Sequence, residues 1–262
     1  MSDFRAHELE ALKAKISALE TGGRQDFDSM SLGDPRLNAR FLKGGLPLGC
    51  WHEFAGEGME IETGASAAAF AACLAAPLAR RGEAIWVLRR DDLFAPGLAG
   101  LGFPTERLIQ VCARDEAEAL AVTEDALSTI GVCAVFAEVE SVNLTAGRRL
   151  QLACERRGAT GFIIRRQPYG GSGRKDFAGS AATTRWRIAP ASSEPAPGEF
   201  GLGQPRWEAR LDRCRGGRPG AWLMEAAAAY TYEVHDGTHP LRLVAELGDR
   251  QLVPAQPLRL SA

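Results

Sequence analysis

The segment Gly56-Glu57-Gly58-Met59-Glu60-Ile61-Glu62-Thr63 has the frame of a phosphate-binding loop without its charge. In that motif, G-x-x-x-x-G-K-[ST], glycines let backbone amides close around a phosphate and the lysine supplies a cation. Gly56 and Thr63 hold the two ends. Ile61 stands where the second glycine is needed, and Glu62 stands in place of the lysine. The exchange is costly. Unit charges about 4 Å apart interact by about 4 kcal/mol at an effective dielectric near 20, so replacing an attractive ammonium by a repulsive carboxylate costs up to roughly twice that. A helix N-terminus returns only about 0.3–1 kcal/mol. The frame therefore predicts a nucleotide-type fold whose phosphate site is vestigial.

Other residues could carry chemistry of a different kind. Between Arg148 and Arg187 there are ten Arg or Lys against two acids, Glu155 and Asp176, a local charge of +8 within a chain of net charge −2. Such a stretch can be an electrostatic footprint for nucleic acid, or simply solubilising arginines. The six cysteines are widely spaced with no C-x-x-C pair, and are expected to be small buried hydrophobes. His235 and His239 have i, i+4 spacing, but Gly237 between them and Pro240 after them argue against one helix presenting both, so no metal is expected.

The elements that must position these residues alternate. Trp51–Ala55 reads as a strand and Gly64–Ala79 as an alanine-rich helix. Ala84–Leu88, Leu108–Cys112, Val132–Ala137 and Gly161–Arg165 read as further strands. Asp115 with Glu118 forms a capping box for the helix after Leu108–Cys112, and Thr145 is a candidate cap for a helix to Arg157. Strands alternating with helices predict an α/β fold with a mostly parallel central sheet flanked by helices. In such sheets the chemistry lies at the carboxyl ends of the strands. Glu62, Asp91, Asp92, Glu138 and Gln167 all fall there.

Before this core, Leu9, Leu12, Ile16 and Leu19 make one apolar seam on a helix, a candidate docking stripe. Beyond it, Thr184–Ile188 and Arg206–Leu211 alternate like two strands. From Ala226 the chain reads as an irregular tail, with Tyr230, Tyr232, Leu241 and Leu243 as candidate partner contacts, or equally as a final hairpin on the core. The expected division is residues 1–30 as N-terminal helix and linker, 31–225 as core and 226–262 as tail. Nothing at the N-terminus has the pattern of a signal peptide, and the alanine-rich run with its Pro77 is too weakly hydrophobic to span a bilayer. A cytoplasmic protein with no membrane association is expected.

Taken in order, the helix, the linker, Gly44-Gly45-Leu46-Pro47-Leu48-Gly49, the phosphate-loop frame and the strands resemble a RecA-like core. More closely, Ala181-Ala182-Thr183-Thr184-Arg185-Trp186-Arg187-Ile188, Trp207 and Arg213-Cys214-Arg215-Gly216-Gly217-Arg218-Pro219-Gly220 resemble the ImuA family of RecA-like, SulA-related accessory proteins. That resemblance spans about Leu37 to Glu225. It implies a function in damage-induced mutagenic translesion synthesis, as adaptor or regulator of an ImuB–polymerase assembly. Implied partners are ImuB, through it an error-prone polymerase, RecA, and weakly held single-stranded DNA. Gly56 and Thr63 match the ends of the RecA phosphate loop, from which Ile61 and Glu62 depart. Asp91 lies near the place of the catalytic glutamate, Glu138 matches the acid ending the Walker B strand, and Gln167 the glutamine that relays nucleotide state. The loop 170–180 takes the place of a DNA-binding loop, making Arg174, Lys175 and Phe177 candidate contacts, with Arg185 and Arg187 beside them. No enzymatic activity and no cofactor are expected. Two alternatives stand: a DNA-dependent ATPase with a non-standard ATP–Mg site, and a SulA-like cell-division inhibitor.

Overall fold

The computed structural model describes residues 28–166, 180–195, 198, 200–227 and 239–247. Ser29–Met30 (β1) and Leu46–Pro47 (β2) form a small antiparallel pair around the short helix Pro35–Asn38 (α1). The main sheet contains Trp51–Gly56 (β3), Glu83–Leu88 (β4), Leu108–Cys112 (β5), Val132–Val139 (β6), Thr160–Arg165 (β7), Thr184–Ala191 (β8), Arg206–Cys214 (β9), Gly220–Ala226 (β10) and Leu241–Glu246 (β11). Its order is β11-β10-β9-β8-β3-β7-β6-β4-β5. From β8 to β5 every pairing is parallel, and β9, β10 and β11 add an antiparallel ribbon at the β8 edge. The expected α/β fold with a mostly parallel sheet is present.

Helices Glu60–Ala79 (α2) and Ala95–Ala99 (α3) cover one face, while Glu116–Leu127 (α4) and Leu144–Arg157 (α5) cover the other. Small residues let α2 approach closely, with Ala71, Ala72, Ala75, Ala76 and Ala79 all fully buried. The space they leave is filled by an aromatic ladder across the strands. Trp86 stacks on Phe136 at 4.4 Å, Phe136 on Phe162 at 5.0 Å, and Phe54 lies nearly parallel to Trp186 at 6.3 Å. Cross-strand aromatic pairs of this kind add to the energy of burial itself.

Helix ends follow local chemistry. Asp115 accepts from the Glu118 amide at 2.8 Å, as the sequence predicts, and Glu118 reaches back to the Arg114 amide at 2.6 Å. Thr145 is not a cap. Asn143 takes that place, its side chain accepting from Ala146 at 2.8 Å, and Gly158 closes α5 at φ 78°. Asparagine outranks threonine as an N-cap, and only glycine enters the left-handed region without strain.

Two further expectations change. Within the segment read as an irregular tail, β11 is an ordered edge strand against β10, with Leu241 and Leu243 buried in the main core. Alternation in Leu241-Arg242-Leu243 is the local reason, turning the leucines inward and Arg242 outward. Of the cysteines, Cys112 is exposed and Cys133 half-buried, while Cys50, Cys73, Cys154 and Cys214 are buried. No helix among the described residues is long and apolar enough to cross a membrane.

Candidate functional site

The carboxyl ends of β3, β4, β6 and β7 meet at one edge of the parallel sheet, because these strands point the same way. The loop after β3 runs through Glu57, Gly58 at φ 118°, and Met59 into α2. Gly56 is required by close approach, since a Cβ there would lie 2.5 Å from Thr63 Oγ1. The Thr63 hydroxyl, which in a phosphate loop would face a metal, donates instead to the Met59 carbonyl at 3.0 Å. The Glu57 amide donates to Ile188 O at 2.9 Å, and its carboxylate lies 3.7 Å from Arg187 and 3.8 Å from Arg210. The loop is thus tied to β8 and β9. Ile61 and Glu62 fall in the first turn of α2, their side chains outside the description.

The acid ending β6 is held from both sides. Glu138 is buried, with 4% of its side chain exposed; Oε1 accepts from the Trp86 indole at 3.0 Å and Oε2 from Arg166 at 2.6 Å. The same guanidinium reaches Asp92 at 2.9 Å, so one cation bridges the ends of β4, β6 and β7. Burial raises the Glu138 carboxyl above the ordinary range, with Arg166 and the indole opposing that shift and Asp92 adding to it. Beside this cluster opens a cleft of about 620 Å³, walled by Ala65, Ala68 and Leu98 and rimmed by Phe94 and Arg90.

Of the sequence-predicted residues, Gly56, Thr63 and Glu138 come to this edge. Asp91 is exposed, and its neighbour Asp92 is the one that meets the cluster. Gln167 lies outside the described residues, as do Arg174, Lys175, Phe177, Tyr230, Tyr232, His235, Leu9, Leu12, Ile16 and Leu19. His239 is buried and bonded within the protein, its Nε2–H donating to the Leu74 carbonyl at 3.1 Å and its Nδ1 accepting from Leu241 at 3.0 Å.

The basic stretch is extensively paired inside the fold. Arg165 and Arg185 converge on Glu53, a fully buried carboxylate, at 3.0 and 3.4 Å. Arg187 meets Asp212 through two bonds at 2.6 and 2.9 Å, and Arg149 meets Glu124 at 2.6 Å. Sequence reasoning missed Arg166, Trp86 and Glu53. Arg165-Arg166 at a strand end was the available signal, but the order β3-β7-β6 that brings Glu53 and Glu138 to these arginines is a tertiary fact.

No protein-family model matches the chain. Protein ImuA of Caulobacter vibrioides, strain NA1000 / CB15N, is 54% identical over 243 residues, covering 91% of this chain and 98% of the relative. Protein ImuA of strain ATCC 19089 / CIP 103742 / CB 15 matches to the same extent. At that identity, extended over nearly the whole relative, the chain belongs to the ImuA family.

Proposed function

We propose that this protein is a non-catalytic accessory factor of mutagenic translesion DNA synthesis, using a RecA-like scaffold to recruit or regulate other proteins rather than to hydrolyse nucleotide. The observation that supports this reading most is the fate of Glu138. A phosphoryl-transfer site needs its strand-end acid free to hold a metal or water, and a cation to meet the phosphates. Here Glu138 is bonded to Arg166 and Trp86, and Glu62 stands at the lysine position. The proposed setting, implied by the family resemblance, is an ImuB partner, through it an error-prone polymerase, and RecA. Contact with single-stranded DNA belongs to the same proposal, through Arg174, Lys175 and Phe177. Arg185 and Arg187 are weaker contributors to it, because both already pair with acids of the sheet.

Calorimetric titration of ATP–Mg into the full chain and into a Glu62→Lys variant tests the reading, with immobilised ImuB and RecA offered to the same preparations. No heat from the wild type, together with ImuB retention, is the expected result. Micromolar ATP binding by the wild type would overturn it.

A further inference from the structure

Pairing within the fold consumes most of the basic stretch, and what remains is gathered in one place. Arg165, Arg166, Arg185 and Arg187 are bonded to carboxylates of the sheet and its loops, and Arg149 to Glu124. Arg148, Arg156 and Arg157 are exposed, and among the described residues no carboxylate holds any of them. All three lie on α5, which carries four arginines against the single acid Glu155. That acid is engaged by its own helix, accepting from the Gln151 amide at 3.0 Å. Arg156 and Arg157 suit the negative end of the helix dipole, where a cation gains about 0.3–1 kcal/mol. Arg148 sits at the start of the second turn and gains nothing there, so the dipole does not account for the set.

We infer that the outer face of α5 docks on the sugar–phosphate backbone of double-stranded DNA, held by Arg148, Arg156 and Arg157 without reading sequence. By the geometry of a helix, Arg148 and Arg156 stand about 12 Å apart along the axis and about 80° apart around it. Their guanidinium forks match phosphate oxygens in charge and in shape. A duplex places one charge per about 1.7 Å of its axis, so several phosphates face a row of that length. The helix Leu144–Arg157 has no aromatic residue, so an unpaired base would find nothing to stack on. That separates this face from a single-strand platform. The exposed Leu144 and Leu152 are two turns apart with Arg148 between them, and form no continuous apolar centre for a protein interface. On one flank α4 sets the border, since Glu124 holds Arg149 and Asp125 is exposed. A polyanion is thereby kept toward Arg148 and the C-terminal end of α5. This surface adds to the accessory reading above one that Arg174, Lys175 and Phe177 do not include, and it does not depend on the ATP or ImuB results.

Fluorescence anisotropy of the full chain with a short labelled DNA duplex of arbitrary sequence, and with an oligo-dT strand of equal length, tests the inference. Three phosphate contacts give an expected slope of about −2.7 for log affinity against log salt, a loss of about fortyfold between 50 and 200 mM. Changing Arg148, Arg156 or Arg157 singly to Gln should weaken duplex binding several-fold and reduce the slope by about 0.9 each. The triple variant should lose duplex binding with a nearly unchanged melting temperature, because these side chains are exposed and unpaired. Arg81→Gln, at an exposed arginine beyond the end of α2, should leave duplex binding as it is. Absence of duplex binding at low salt would overturn the inference, and so would a triple variant that binds duplex as well as wild type. A triple variant that loses oligo-dT but keeps the duplex would equally overturn it. Loss of ImuB retention by the triple variant, with duplex binding intact, would assign the face to a protein instead.

Discussion

Arg166 is the residue on which the strand-end cluster depends. Its guanidinium serves Glu138 and Asp92 together, and no other cation is seen bonded to the Glu138 carboxylate among the described residues. Removing one partner of a buried pair leaves an uncompensated charge and typically costs about 3–5 kcal/mol. Arg166→Met is therefore expected to lower stability at pH 7 by about 3 kcal/mol in denaturant titration. The pH dependence has a definite sign. Glu138 already titrates above its unfolded value, and loss of Arg166 raises it further. The penalty is then largest above the folded value, where the buried carboxyl is ionised. It shrinks on acidification, as the carboxyl becomes neutral. Glu138→Gln added to Arg166→Met should recover part of the loss and flatten that pH dependence. A variant as stable as wild type at pH 7 would show that Glu138 does not rely on the arginine.

At the scale of elements, α2 and the aromatic ladder are complementary halves of one design. A helix of small residues lies close to the sheet, and Trp86, Phe136, Phe162, Phe54 and Trp186 supply the volume that the helix lacks. Ala71 is fully buried in this layer. Enlarging it adds methylenes to a close-packed interior, so Ala71→Leu is expected to cost about 1–3 kcal/mol, read as a lower midpoint in urea. Much of this was legible in the sequence. The alanine run, the apolar strand Val132–Ala137 and the Asp115 cap were visible because each depends on residues close in sequence. The ladder was not, since stacking of Trp86 on Phe136 depends on β4 lying beside β6. Nor was the pairing of the basic stretch: Arg165 and Arg185 find Glu53 across 112 and 132 positions of chain. Local rules see a charge but not what faces it.

For the whole molecule, two buried histidines couple the fold to pH. The Pro47 carbonyl can only accept, so His52 Nε2 donates to it at 2.9 Å, while Nδ1 accepts from the Thr184 hydroxyl at 2.7 Å. His239 is fixed in the same protonation state by Leu74 and Leu241. Burial lowers both imidazoles from 6.5 to about 4. Their contribution is present above the unfolded value near 6.5 and is lost as pH falls toward about 4, by up to about 3 kcal/mol each. Urea midpoints measured from pH 7 to pH 4.5 should fall accordingly, and His239→Gln should flatten the slope. A midpoint independent of pH over that range would contradict the burial of both rings. The central position of β3 has a consequence of another kind. Its neighbours β7 and β8 both lie more than a hundred residues downstream. A chain emerging from the ribosome therefore carries Trp51 and Phe54 without a docking strand until most of the core has been made. Closure of the sheet is a late event dominated by non-local contacts, which is the regime of slow folding. The hydrophobic strand beside the loop at Gly56 thus waits through most of synthesis for its shelter, which makes it a surface for a chaperone to hold.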